Sequence, residues 1–182
     1  MMDMTTARNF AARETLRDGT AITIRAVRPD DRARVAEAFG KLERESVYTR
    51  FFSFKPALSD AELDVIDRMD FVRDVMLVVT ARNGADEEVI ASARYVAHDA
   101  PDGVVEAEVA FTVEEDFRGN GLAGRLLAHL GTLARANRIT RFVAEVLPGN
   151  NAMLTVFRKS GLSLQERRED GVVRLTLALA PD

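Results

Sequence analysis

Three glycines fall within six positions at the head of a leucine-striped segment: Phe117-Arg118-Gly119-Asn120-Gly121-Leu122-Ala123-Gly124-Arg125-Leu126-Leu127. A glycine-rich turn opening an amphipathic helix restricts what can fold around it. The helix must bury the stripe Leu122, Leu126, Leu130 and Leu133, widened by Leu127 and Ala134, against another apolar layer. The turn must stay open, because the first amides of a helix have no intrahelical acceptor and the dipole adds partial positive charge there. Glycine lets such a backbone approach a bulky phosphate closely. The first inference is a phosphate-bearing ligand.

The run fits two motifs. As Gly119-x-Gly121-x-x-Gly124 it matches the dinucleotide fingerprint, with Glu145 about 20 residues beyond, as that motif asks. As Arg118-x-x-Gly121-x-Ala123 it matches a (Gln/Arg)-x-x-Gly-x-(Gly/Ala) phosphate loop. The surrounding chain separates them. In a dinucleotide fold the first strand runs almost directly into the first glycine and opens a series of βαβ units. Here Glu114-Glu115-Asp116-Phe117-Arg118 intervenes, and the run follows a meander close to the end of the chain.

The 182 residues suit one domain with a substantial core. The chain has no cysteine, which excludes a disulfide framework, a thiolate metal site and a Cys nucleophile or acyl carrier. Its only histidines, His98 and His129, leave little for a metal site or a Ser-His-Asp triad, so no metal is expected. A net charge of −4 argues against non-specific nucleic-acid binding. No run has the length of a membrane span or the apolar core of a signal peptide, so a cytoplasmic protein without membrane contact is expected.

Residues 1–18 read as a frayed or weakly helical, flexible segment. Thr20 to Val27 alternates like a strand. Pro29-Asp30-Asp31 opens a helix with Val35, Ala36, Phe39 and Leu42 on one face. Ser46 to Phe52 reads as a second short helix, and Ser59-Asp60-Ala61-Glu62 is a capping box before another. Three strands follow: Val75 to Ala81, Val89 to Val96 and Val104 to Val113. The loop at Asn83-Gly84 reads as longer than two residues. Beyond the glycine-headed helix, Arg141 to Val146 is a strand, and its helical connection predicts a parallel β-α-β crossover. Asn150 to Ser160 is a short helix. Leu162 to Arg167 and Val172 to Leu179 make a terminal hairpin.

This order, β-α-α-β-β-β-α-β-α-β-β, resembles the GNAT superfamily of N-acetyltransferases. The motifs that carry the resemblance are Phe111-Thr112-Val113, Arg118 to Gly124, Val146-Leu147-Pro148-Gly149-Asn150-Asn151-Ala152 and Phe157-Arg158-Lys159-Ser160-Gly161-Leu162. It implies one α+β domain over residues 19–182, with a mixed, mostly antiparallel sheet flanked by helices. It also implies acyl transfer from acetyl-CoA to an amine. Phe111, Thr112, Val113, Arg118, Gly119, Asn120, Gly121, Leu122, Ala123, Gly124 and Asn150 would bind the cofactor, its pyrophosphate resting on the amides of residues 119–124. Ile24 to Asp31, Glu45 to Phe52 and Ala107 to Phe111 look like bacterial protein lysine acetyltransferases that modify acyl-CoA synthetases. The acceptor implied is a protein such as a synthetase. A small amine, or a non-catalytic acetyl-CoA-binding module, are the alternatives, in a monomer or homodimer.

An ammonium cannot attack a thioester, so the amine must lose its proton at the site. Without a suitable His or Cys, the base is a carboxylate or a water that it orients. Glu106 and Glu108 share one face of the strand leading to the glycine loop. Glu108 matches the glutamate that is the general base in the lysine acetyltransferases named above, and a partly apolar setting is expected to raise its pKa. Many superfamily members place a thiolate-protonating tyrosine seven residues after the asparagine matching Asn150; this chain has Phe157 there. Asn150 suits a helix cap as well as a cofactor contact. Arg118 and Arg125 suit a phosphate or a solvated turn.

Overall fold

The computed structural model describes residues 7–44 and 57–179. One eight-stranded sheet runs through them in the order β1-β2-β3-β4-β5-β6-β8-β7. Its strands are β1 (Ala11–Thr15), β2 (Ala21–Ala26), β3 (Asp74–Asn83), β4 (Asp86–Asp99), β5 (Val105–Val113), β6 (Arg141–Val146), β7 (Leu164–Glu169) and β8 (Val172–Ala178). The helices α1 (Arg32–Gly40), α2 (Asp60–Arg68), α3 (Leu122–Ala136) and α4 (Asn151–Arg158) flank it. All pairings are antiparallel except β5 with β6, which the α3 crossover makes parallel.

The leucine stripe does what its spacing predicts. Leu122, Leu126, Leu127, Leu130, Leu133 and Ala134 are buried, among Tyr95, Ala107, Val109 and Phe142 in one continuous core. Helices α1 and α2 belong to the opposite face of the sheet. Ser59 caps α2: its hydroxyl accepts from the Glu62 N–H, and the Glu62 carboxylate accepts from the Ser59 N–H.

The segment expected to be flexible, residues 1–18, contains a strand. β1 pairs with β2 from Ala11↔Arg25 to Thr15↔Ala21. A turn closes the hairpin: Gly19 has φ +88°, Thr20 N–H donates to Asp18 Oδ1 at 2.9 Å, and Leu16 is buried. Ala11-Ala12-Arg13-Glu14-Thr15 has little hydrophobic alternation, so its strand character comes from the open edge of β2. Asp18-Gly19 was the legible signal. The loop after β3 is also shorter than expected. Asn83 pairs with Asp86, leaving Gly84-Ala85 as a two-residue turn with Gly84 at φ +63°. The expected helix at Ser46 to Phe52 lies outside the described residues.

One charged pair is built into this frame. Arg25 of β2 donates to Asp31 through two nitrogens, at 2.7 and 2.8 Å, and both residues are buried. Arg25 also donates to Glu87 at 3.1 Å. The Asp31 carboxylate accepts from the Arg28 N–H at 2.8 Å, and the bend that launches α1 is thereby tied to the sheet. Burial pushes the Asp31 carboxyl up, but the Arg25 and Arg28 hydrogen bonds and the nearby cations outweigh it, and the net shift is downward. The pair therefore stabilises the fold fully above the ordinary carboxylate value of about 4. Its contribution is lost as pH falls through the lowered folded value. Asp31→Ala leaves the buried Arg25 guanidinium with Glu87 as its remaining carboxylate partner and is expected to cost about 3 kcal/mol in urea unfolding at neutral pH. The deficit should shrink in acid as wild type loses the same pair.

Candidate functional site

β5 is the seam of the sheet. On one side it pairs with β4 along its whole length, from Val105↔Asp99 to Val113↔Ala91. On the other it pairs with β6 at only Glu106↔Arg141, Ala107↔Phe142 and Glu108↔Val143. β6 keeps to β8 from Arg141↔Ala178 to Val146↔Val173. The two central strands therefore part after Glu108, and residues 109–113 keep a strand neighbour on one side only. Backbone N–H groups of that stretch directed away from β4 have no strand partner. They are available to a ligand entering the cleft.

The glycine loop lies at the far end of this stretch. β5 leads into a 3-10 turn, Glu115–Phe117, which delivers the chain to the loop and α3. Gly119 and Gly121 have φ +79° and +76°, in the left-handed region that costs other residues energy. Gly121 is the N-cap of α3, with no side-chain cap on the first-turn amides. A Cβ added at Gly119, Gly121 or Gly124 would meet nothing within 4 Å. Backbone conformation thus demands glycine at Gly119 and Gly121, and the space over the helix start is open, where a diphosphate fits. Asn120 donates from its side chain to the Phe117 carbonyl at 3.2 Å, which braces the turn. Leu122 is buried and serves the core rather than the loop surface.

Of the remaining cofactor candidates, Phe111, Thr112 and Val113 are half-buried along the separated stretch of β5. Asn150 is the N-cap of α4, its side-chain oxygen accepting from the Met153 N–H at 3.2 Å. Phe157 is buried and meets the Phe111 ring edge-on at 5.8 Å between centroids, so the position of the missing tyrosine is packing. Arg118 is exposed and lies 3.5 Å from Glu115. Arg125 is not a free phosphate ligand: it donates to Glu14 Oε2 at 2.8 Å and to the Thr15 carbonyl at 3.1 Å. His129 meets the other Glu14 oxygen at 2.7 Å. Glu14 of β1, in the segment expected to be flexible, thereby holds the first two turns of α3.

The two strand-face glutamates differ sharply. Glu106 is held by Arg141 Nε at 2.6 Å and His98 Nε2 at 2.8 Å. Burial pushes its carboxyl up, but these two partners outweigh it and the net shift is downward. A carboxylate so engaged is a poor proton acceptor. Glu108 is exposed and makes no ion pair or hydrogen bond with the described residues. It occupies the last register of the β5–β6 pair, opposite Val96 of β4, which is itself 41% exposed. Glu108 thus stands between Val96 of β4 and Val143 of β6, with its side chain open to solvent. No group of metal-ligating side chains occurs among the described residues.

The family model described as an acetyltransferase (GNAT) domain matches residues 21–163. The Acetyltransferase Pat of Mycolicibacterium smegmatis is 32% identical over 168 residues, covering 91% of this chain and 48% of that protein. The chain thus spans about half the length of that relative. Among solved structures, the GNAT domain of S. lividans PAT is 38% identical with a TM-score of 0.81, covering 92% of this chain and 96% of that one. The putative acetyltransferase yncA of Salmonella typhimurium, solved with its cofactor acetyl-CoA, is 20% identical and shares the fold. Its TM-score is 0.66, over 86% of this chain and 91% of that one.

Gly121→Val puts a β-branched residue at φ +76° and places methyl groups over the helix start. It is expected to weaken CoA binding, measured by calorimetry, by about tenfold or more, or roughly 1.4 kcal/mol. Unchanged affinity in a folded variant removes the loop from the site.

Proposed function

The chain belongs to the GNAT acetyltransferase family, and from that premise we propose that it transfers the acetyl group of acetyl-CoA to lysine side chains of a protein, in a single ternary complex. The observation that carries the acceptor assignment is the setting of Glu108. It is exposed and unengaged at the point where β5 and β6 part, beside the exposed Val96. A lysine on a protein surface needs such an open approach, whereas a small amine needs enclosure with a counter-charge at the reacting position. The kinship with the Pat and PAT proteins supports the same choice.

In this reading the thioester of acetyl-CoA supplies the activated acyl group. The glycine-loop amides and the N-terminus of α3 hold its diphosphate. The N–H groups of residues 109–113 that face away from β4 orient the thioester carbonyl and stabilise the negative charge that develops on its oxygen. Glu108 accepts the proton of the lysine ammonium, directly or through one water, so that the neutral amine attacks. Glu106, tied to Arg141 and His98, holds the β4, β5 and β6 ends together and takes no proton. Phe157 supplies no acid at the position of the family's tyrosine. A thiolate with a pKa near about 8.5 leaves without one.

The test is CoA release from acetyl-CoA with acyl-CoA synthetases and with small amines as acceptors. Synthetase lysines are expected to be acetylated, and small amines not. Glu108→Gln is expected to lower kcat/KM by about 100-fold or more while leaving CoA affinity within about twofold of wild type. A Glu108→Gln protein with full activity at neutral pH removes the base. Small amines turning over faster than any protein acceptor removes the substrate class.

A further inference from the structure

Strand β1 is the end strand of the sheet, paired with β2 alone among the described residues. Its Glu14 nonetheless sends both carboxylate oxygens to one helix. Oε2 accepts from Arg125 Nη1 at 2.8 Å, and Oε1 meets His129 Nε2 at 2.7 Å. Arg125 also donates to the Thr15 carbonyl at 3.1 Å. The Phe10 ring lies 5.1 Å from the His129 ring, between centroids, tilted by 55°. Arg125 and His129 are four positions apart, so they stand one turn apart on the same face of α3. All three charged side chains are partly buried.

This face governs the start of α3. Arg125 closes the first intrahelical bond, its N–H donating to the Gly121 carbonyl at 3.1 Å. The amides just before it have no intrahelical acceptor, and Gly121 offers them no side-chain cap. They belong to the group assigned above to the cofactor diphosphate. Leu122 and Leu126 hold this turn from the core, where both are buried. Arg125, gripped by Glu14, ties it to β1 from the flank. A turn held in place before the ligand arrives needs less ordering when it binds.

One member of the clamp titrates near neutrality. The charged groups that face His129 are Glu14, from β1, and Arg125, from its own helix. Burial pushes the Glu14 carboxyl up, but the hydrogen bonds and charges of His129 and Arg125 outweigh it, and the net shift is downward. Glu14 therefore keeps its charge at neutral pH, and an arginine keeps its own. A histidine is the side chain whose charge ordinarily changes between about pH 5 and 8. A neutral imidazole with its proton on Nε2 still donates to Glu14, but a charge-assisted hydrogen bond is about twice as strong as a neutral one.

We infer that Glu14 is a positioning residue for the cofactor: through Arg125 and His129 it sets the start of α3, and protonation of His129 strengthens CoA binding by tightening this clamp. The sign follows from the bond. With His129 charged, the first two turns of α3 are pinned to β1 by two charge-assisted contacts; with His129 neutral, by one. CoA affinity therefore falls as pH rises through the range in which histidine loses its proton. The inference rests on the glycine loop as the diphosphate site. It does not depend on the acceptor or on Glu108.

The experiment is calorimetric titration of the wild type, His129→Gln and Glu14→Gln with CoA at about pH 6 and about pH 8.5. The phosphomonoester of CoA titrates in this window too, so the difference between proteins is what is read. Between the two pH values the wild type is expected to lose about threefold more affinity than His129→Gln, which keeps a donor to Glu14 without a titrating charge. Glu14→Gln is expected to bind CoA about threefold or more weakly than wild type at the lower pH, and to lose that extra pH dependence. A merely structural Glu14 would lower the unfolding midpoint without changing the pH dependence of CoA affinity. Parallel pH profiles for wild type and His129→Gln would overturn the inference. So would a pH dependence that survives Glu14→Gln, which would be the direct field of His129. Tighter CoA binding by Glu14→Gln would overturn it as well, because Glu14 would then be withholding two cations rather than positioning the helix. No CoA binding by wild type at either pH would remove the diphosphate site and the inference with it. If Glu14→Gln fails to fold, the comparison with His129→Gln decides it alone.

Discussion

The structure depends on an incomplete strand pairing. β5 is committed to β4 over nine residues, and β6 is committed to β8 over six, so the two hold each other for only three. Both halves contribute buried apolar residues to one continuous core. The α3 crossover joins the two halves. What in an ordinary sheet would be a defect, a central strand with one unpaired edge, becomes a slot. Its backbone donors are already in place and cost no reorganisation when a ligand arrives.

Around this slot the carboxylates are sorted by their partners. Asp31 and Glu106 are clamped by arginine and depressed in pKa, and they belong to the frame. Glu14 secures the first turns of α3 through Arg125 and His129. Glu108 and Glu114 have no such clamp: Glu108 is exposed, and Glu114 Oε2 is buried without a hydrogen-bond partner. A protein satisfies its buried polar groups wherever nothing is gained by leaving them unsatisfied.

Much of this was legible in the chain. The leucine spacing identified α3 and its buried face, and the alternating apolar residues identified the meander and the terminal hairpin. The length of the α3 connection predicted the parallel pair, and the glycines predicted an open helix start. β1 was missed because its five residues have no apolar rhythm of their own: the edge of β2 recruits them, and a neighbour's edge is not a local property. The two-residue turn at Gly84-Ala85 was missed because the flanking Asn83 and Asp86 are polar yet belong to the ladder. Arg125 suited a phosphate or a solvated turn, and its actual role was hidden for the same kind of reason. Its partner, Glu14, is distant along the chain and becomes a neighbour only when β1 docks beside α3.

The sequence by itself determined the element order, the glycine-headed helix and the face of β5 on which its glutamates stand, because these follow from periodicity and local backbone chemistry. Tertiary structure alone decided which glutamate is free. Glu106 and Glu108 are identical in type and share a strand face. Arg141 and His98, brought up by β6 and β4, silence the first and leave the second at the point where the strands part. That choice is made by register between strands remote in sequence, and no local pattern encodes it.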